Sequence, residues 1–159
     1  DYAKLPRRNY EPLNINEVLE DVISLYSLSK DLTIEKELSK DLRLVSADRQ
    51  EMNRVFQNLI KNAVQSFEEM GSSKGDKKIC VKSYNKPKKV VVEIIDNGIG
   101  MDEELLAKLF EPNFSTKKTG MGLGLSITKK SLDDMKADIK HTSIKGEGTT
   151  VRLEFMVLK

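Results

Sequence analysis

Between Val90 and Ile95 the chain reads Val-Val-Val-Glu-Ile-Ile, broken only by Glu93, and it stops at once on Asp96-Asn97-Gly98-Ile99-Gly100-Met101. β-Branched side chains pack well on a pleated surface, so this run predicts a strand. It is far short of the ~20 apolar residues that span a bilayer, and no other stretch comes nearer. A carboxylate then leaves the strand into a glycine turn, where the backbone can bend tightly or approach a ligand closely.

With 159 residues, 38% apolar and 33% charged and without tryptophan, the chain has the means for one core of helices on a sheet. Collagen, coiled-coil arrays and long disorder are excluded. A net charge of +2 calls for no nucleic-acid or anionic-membrane partner, and the seven lysines between Lys74 and Lys89 read as a solvated hairpin. A single cysteine, Cys80, makes neither an internal disulfide nor a zinc site, which fits a reducing compartment. The first residue is Asp1 and no signal peptide follows, so an excised piece of a longer, soluble or membrane-anchored parent is expected.

Residues 1–14 hold Pro6 and Pro12 without a sustained period and read as a linker, which leaves residues 15–159 as the domain. Val18, Leu19, Val22, Ile23, Leu25 and Tyr26 recur at helical spacing after a cap at Asn14 or Asn16. Leu32–Leu38 alternates like a strand, and Leu42–Val45 predicts a second, short one. Asp48-x-x-Glu51 is a capping box opening a long helix to about Met70. Strands over Lys77–Tyr84 and Val90–Asp96 then pair across Asn85-Lys86-Pro87-Lys88. A short helix near Glu103–Leu109, a polar loop, a helix from about Leu123 to Met135 and strands at 138–144 and 149–157 complete the chain. This mixture predicts a two-layer α/β sandwich, one mixed, mainly antiparallel sheet covered on one face by about three helices.

Three features carry chemistry. Asn58 and Asn62 lie four residues apart on one face of the long helix, where an apolar stripe has no use for them. Asp96 ends a strand beside Gly98 and Gly100. Lys117, Lys118 and Gly120-x-Gly122-x-Gly124 precede a helix, so backbone N–H groups, the helix dipole and two lysines converge as in a phosphate cradle. Each feature alone has an ordinary explanation: a side-chain hydrogen bond, a plain turn, a structural loop.

Taken in order, Asn58…Asn62, Asp96-x-Gly98-x-Gly100, Phe110-x-x-x-Phe114, Gly120-x-Gly122-x-Gly124 and Gly146-x-Gly148-Thr149 resemble the ATP-binding catalytic domain of two-component sensor histidine kinases. The match runs from about residue 12 to 158. It implies a Bergerat-type fold binding ATP and Mg²⁺ between the helix layer and a lid. Asp96 would then accept a hydrogen bond from the exocyclic amine of adenine; a guanine keto oxygen there would bury two acceptors together. Asn62 would offer its amide oxygen to Mg²⁺, and Lys117 would reach the terminal phosphates. Gly98, Gly100, Gly120, Gly122, Leu123, Gly124 and Thr149 would line the nucleotide, with Lys61 close to its phosphates or merely solvated. Asn58 stands where related hydrolases carry a water-activating Glu, so the resemblance implies phosphoryl transfer to a side chain, with Asn58 and Lys117 as the catalytic pair. The short span from Phe110 to Gly120 and the Gln65-Ser66 pair resemble the nitrogen-regulation branch of the family.

Two departures stand out: Asn113 replaces a common aromatic or apolar residue, and Asp134-Met135-Lys136-Ala137 lacks the glycines usual after the last helix. His141, the sole histidine, has no proline after it and reads as structural rather than as a phosphoacceptor. The resemblance therefore implies that the acceptor histidine belongs to a separate dimerisation domain, with a response-regulator receiver domain as the next partner. It also implies a cytoplasmic location, a monomeric segment and a homodimeric parent. Two other readings use the same motifs: a nucleotide-gated interaction module without chemistry, and a serine kinase of the anti-sigma-factor type.

Overall fold

The computed structural model describes residues 8–29, 31–68, 70, 75–111 and 121–159, with the backbone alone at 121–123. In chain order the elements are β1 (Glu11–Leu13), α1 (Ile15–Ser24), β2 (Leu32–Leu38), β3 (Val45–Ala47), α2 (Arg49–Glu68), β4 (Lys77–Lys86), β5 (Lys89–Asp96), α3 (Glu103–Ala107), α4 (Met121–Asp134), β6 (Asp138–Ile144) and β7 (Gly148–Met156). Five strands form one sheet in the order β2-β4-β5-β7-β6. Only β2 and β4 run parallel; the other pairs are antiparallel. A parallel pair needs a long crossover, and the segment carrying α2 supplies it. The expected mixed sheet and helix layer are therefore present.

Alternation along the strands decides which face is covered. Ile79, Val81 and Ser83 of β4, Val90, Val92 and Ile94 of β5, and Val151, Leu153 and Phe155 of β7 are buried. Apart from the buried Val91, the intervening positions are at least partly exposed and carry polar pairs: Tyr84 donates to Glu93, and Arg152 bridges Glu93 and Glu154. One wet and one dry face is the usual economy of an antiparallel sheet.

The helices meet that face through stripes of period 3.6. α1 buries Ile15, Val18, Leu19, Val22 and Ile23 and is capped by Asn14, whose side chain accepts the Asn16 N–H at 2.9 Å. α2 buries Met52, Val55, Phe56, Leu59, Ile60, Ala63 and Phe67, with the Phe56 ring 6.4 Å from that of Phe155 on β7. Half of the expected capping box forms: Asp48 Oδ1 accepts the Glu51 N–H at 2.9 Å. The Glu51 carboxylate does not return the bond; it pairs with Arg8 Nε at 2.8 Å, while Arg8 Nη2 reaches Asp134 at 2.6 Å.

Three local expectations are corrected. The short strand is Val45–Ala47 rather than Leu42–Val45, and it joins no main-sheet neighbour. It pairs antiparallel with Glu11–Leu13, at the end of the segment read as a linker, and this buries Leu13. A three-residue strand containing Pro12 has no periodicity of its own, so only its partner reveals it. The β4–β5 turn is tighter than expected: Lys86 pairs with Lys89, leaving Pro87-Lys88 as a two-residue loop. Finally, α4 starts at Met121, two residues before the expected Leu123.

Candidate nucleotide site

The site is built on the last residue of β5. Asp96 is registered with Ile79 on β4 and Thr149 on β7, so it sits near the middle of the sheet's edge. Its side chain is buried, and Oδ1 accepts the Gly98 N–H at 2.9 Å. The Ser66 hydroxyl of α2 lies 2.7 Å from the Ala63 carbonyl and 3.4 Å from the same Oδ1. A shared hydroxyl proton at those distances favours the helix carbonyl and keeps the carboxylate in reach.

Two glycines make this approach possible. A Cβ on Gly98 would overlap the Ser66 hydroxyl, and one on Gly148, at φ +135°, would overlap the Asp96 carbonyl oxygen. Around them the turn is tied down on every side. Ile99 N–H donates to Ser66 O at 3.3 Å, Gly146 N–H to Ile99 O at 2.5 Å, and Met101 N–H to Ser143 Oγ at 2.7 Å. Ser143 Oγ donates to Gly148 O at 2.9 Å and lies 2.8 Å from Thr149 Oγ1. Sheet edge, glycine turn and the β6–β7 turn thus form one hydrogen-bonded unit.

Above this unit lies a cleft between α2, the glycine turn, α3 and the ends of β6 and β7. Asn62, Asp96, Gly100 and Thr149 line it, with Leu59, Leu105, Leu109, Leu125 and Val151 as apolar walls. Apolar walls with a few convergent polar groups are the ordinary constitution of a ligand site. Asn62 Nδ2 is buried and has no hydrogen-bond partner among the described residues. A lone buried amide is costly unless something else completes it, and here it lines a cleft able to admit a ligand.

The structure thus brings Asn62, Asp96, Gly100 and Thr149 to one cleft, with Gly98 beneath them. Asn58 does not line it: its Nδ2 points at α4, 3.4 Å from Thr128 Oγ1, and Gly124 packs beside it. Gly122 and Leu123 fall in the first turn of α4, while Lys61 is exposed on α2. Lys117 and Gly120 lie outside the described residues, as do Asn113 and Phe114 and with them the lid. Three contributors were not singled out as site residues by the sequence reading: Ser66, Ser143 and His141. Ser66 had a local signal, since 58, 62 and 66 continue one helical face. Ser143 and His141 had none, because strand register places them.

Comparison with known proteins places the chain in a family. The chain belongs to the histidine kinase-, DNA gyrase B- and HSP90-like ATPases, whose family profile matches residues 47–159. It is 28% identical over 156 residues to the signal transduction histidine-protein kinase AtoS of Escherichia coli K12, covering 96% of this chain and 25% of that one. It is 28% identical over 151 residues to sporulation kinase E of Bacillus subtilis 168, covering 93% of this chain and 20% of that one. The chain therefore spans a quarter or less of the length of these two relatives. The nucleotide-free catalytic domain of histidine kinase ThkA superposes with a TM-score of 0.79 at 28% identity, covering 94% of this chain and 96% of that one. Among the described residues no helix is long and apolar enough to cross a membrane.

Proposed function

We propose that this chain is the Mg·ATP-binding catalytic domain of a sensor histidine kinase, donating the γ-phosphoryl group to a histidine on a dimerisation domain for relay to a response-regulator aspartate. One observation carries the choice of transfer over hydrolysis. Among the described residues lining the cleft Asp96 is the only carboxylate, and it is engaged by Gly98 and set beside Ser66. No second carboxylate stands there to activate water, and Asn58 cannot serve as a base.

Asp96 accepts the adenine amine and so selects adenine over guanine. The orphaned Asn62 Nδ2 fits a polar ligand at the cleft, and the oxygen of the same amide would hold the Mg²⁺ that accompanies the nucleotide. That ion would supply charge neutralisation of the phosphates. The first turn of α4 offers backbone N–H groups to phosphate, and Lys117 adds a point charge. The segment before β1 leads in from the dimerisation domain, the parent is a homodimer, and the location is cytoplasmic, where ATP is supplied.

Titration calorimetry with ATP and GTP in Mg²⁺, on the wild-type chain and Asp96→Asn, tests the binding step. Wild type binds ATP and not GTP, and the variant binds ATP about 10- to 100-fold more weakly, the worth of a hydrogen bond to a charged group. Adding a dimerisation domain then yields an acid-labile phosphohistidine. A stable phosphoserine on a partner would instead make this a serine kinase, and ATP bound without any transfer would make it an interaction module.

A further inference from the structure

Resting on the reading of the cleft as an adenine pocket, we infer that His141 reads the nucleobase: its buried, unpartnered Nδ1 hydrogen-bonds a ring nitrogen of the purine whose amine meets Asp96. β6 alternates, with Lys140 and Thr142 exposed and Ile139, His141 and Ser143 turned inward. His141 is registered with Val151 on β7, and both line the cleft. Its fellow wall residues include Leu109, Leu125 and Val151, an environment that an aliphatic side chain would complete without cost. An imidazole there leaves one nitrogen buried without a partner among the described residues, a penalty that a ligand in the cleft can remove.

The ring is held in place. Phe110 packs against it edge to face, centroids 5.4 Å apart at 69°. Burial pushes the imidazole down to about 4, so at neutral pH it is uncharged, with one nitrogen a donor and the other an acceptor. The base decides which is which. Adenine has one exocyclic donor group, the amine taken by Asp96, and its remaining edges present ring nitrogens that only accept. The complementary tautomer is therefore Nδ1–H. His141 would thus add a second polar reading of the base, on a different strand from Asp96.

The test uses the whole chain with ATP and its 1-deaza, 3-deaza and 7-deaza analogues, in wild type and His141→Val. In wild type one analogue binds about five- to tenfold more weakly than ATP, the worth of one hydrogen bond, while His141→Val binds ATP correspondingly less well and no longer distinguishes that analogue. Because His141 is the sole histidine, a ¹⁵N spectrum reports its ring alone. ATP fixes the Nδ1–H form and shifts its resonance, and the discriminated analogue does not. These wild-type readouts decide the matter even if the valine variant fails to fold. Wild-type binding of ATP with all three analogues equal to it, or with an unchanged ring spectrum, overturns the inference and leaves the adenine pocket standing. Failure of wild type to bind ATP removes the pocket and this inference with it.

Discussion

A single added methyl group at Gly98 would disturb the packing of α2 against the glycine turn. The new Cβ would overlap the Ser66 hydroxyl and lie 2.9 Å from Ser66 Cβ, so either α2 or the glycine turn must move. The turn is held by Asp96 and, through Ile99, by the backbone of Ser66, which leaves it little room. Gly98→Ala is expected to cost about 1–3 kcal/mol, the usual penalty of overpacking, and to weaken ATP binding with it. Urea midpoints and calorimetry measure the two effects. Ser66→Gly in the same chain removes the obstructing side chain, so it should recover ATP affinity while adding the ~1 kcal/mol cost of a helix glycine. If Gly98→Ala binds ATP as wild type does, the contact between α2 and the turn does not shape the site.

At the level of elements, the end of α4 shows how a fold tolerates a missing glycine. Lys136 N–H donates to Asp133 O at 3.0 Å and Ala137 N–H to Leu132 O at 2.8 Å, the paired bonds of a Schellman closure. The position between them requires a left-handed residue, and Lys136 takes it at φ 59°. An L side chain pays about 1–2 kcal/mol for that conformation. The buried pair Leu132 and Ala137 holds the closure shut regardless. Lys136→Gly should therefore stabilise the domain by about 1 kcal/mol, read as a rise in the urea midpoint at unchanged slope. No change would mean that the lysine gains elsewhere what its backbone loses. The start of α2 carries the same lesson in reverse: the box motif is present, but a longer-range partner, Arg8, takes the Glu51 carboxylate. That ion pair ties residue 8 to the front of α2, and through Asp134 to the end of α4.

For the whole molecule, acid is the condition that tests the cleft wall against the rest of the core. His141 takes a proton at the ordinary 6.5 when unfolded and only at about 4 when buried in the fold. Between those values the unfolded chain binds more protons, so the stability this group contributes is full above pH 6.5 and is lost as the pH falls towards 4. His141→Val removes that dependence. The wild-type thermal midpoint should then fall more steeply than the variant's across this window, while carboxylates such as Asp48 titrate alike in both. For Asp48, burial pushes the carboxyl up, but the backbone N–H groups of Asn9, Glu51 and Gln50 outweigh it and hold it below 3.8. Its contribution is therefore lost only in stronger acid. Parallel curves for the two proteins would place the imidazole in water.

Local pattern was enough for most of the elements and for several of the residues that line the cleft. Period-3.6 stripes marked α1 and α2, β-branched alternation marked β4 and β5, and Asp96, Gly98, Gly100 and Asn62 announced themselves by residue type and spacing. These signals are local because backbone geometry repeats over a few residues and glycine is required by the chain's own bend. Tertiary structure alone decided what depends on distant partners. It paired Glu11–Leu13 with Val45–Ala47, diverted Glu51 to Arg8, and imposed a left-handed backbone on Lys136. Through strand register it also carried Ser143 to Thr149 and set His141 into the cleft wall opposite Val151. A side chain's residue type fixes what it can bond, but only the packed sheet fixes what lies within reach, and that is why the place of the sole histidine in the cleft wall shows only once its strand is placed.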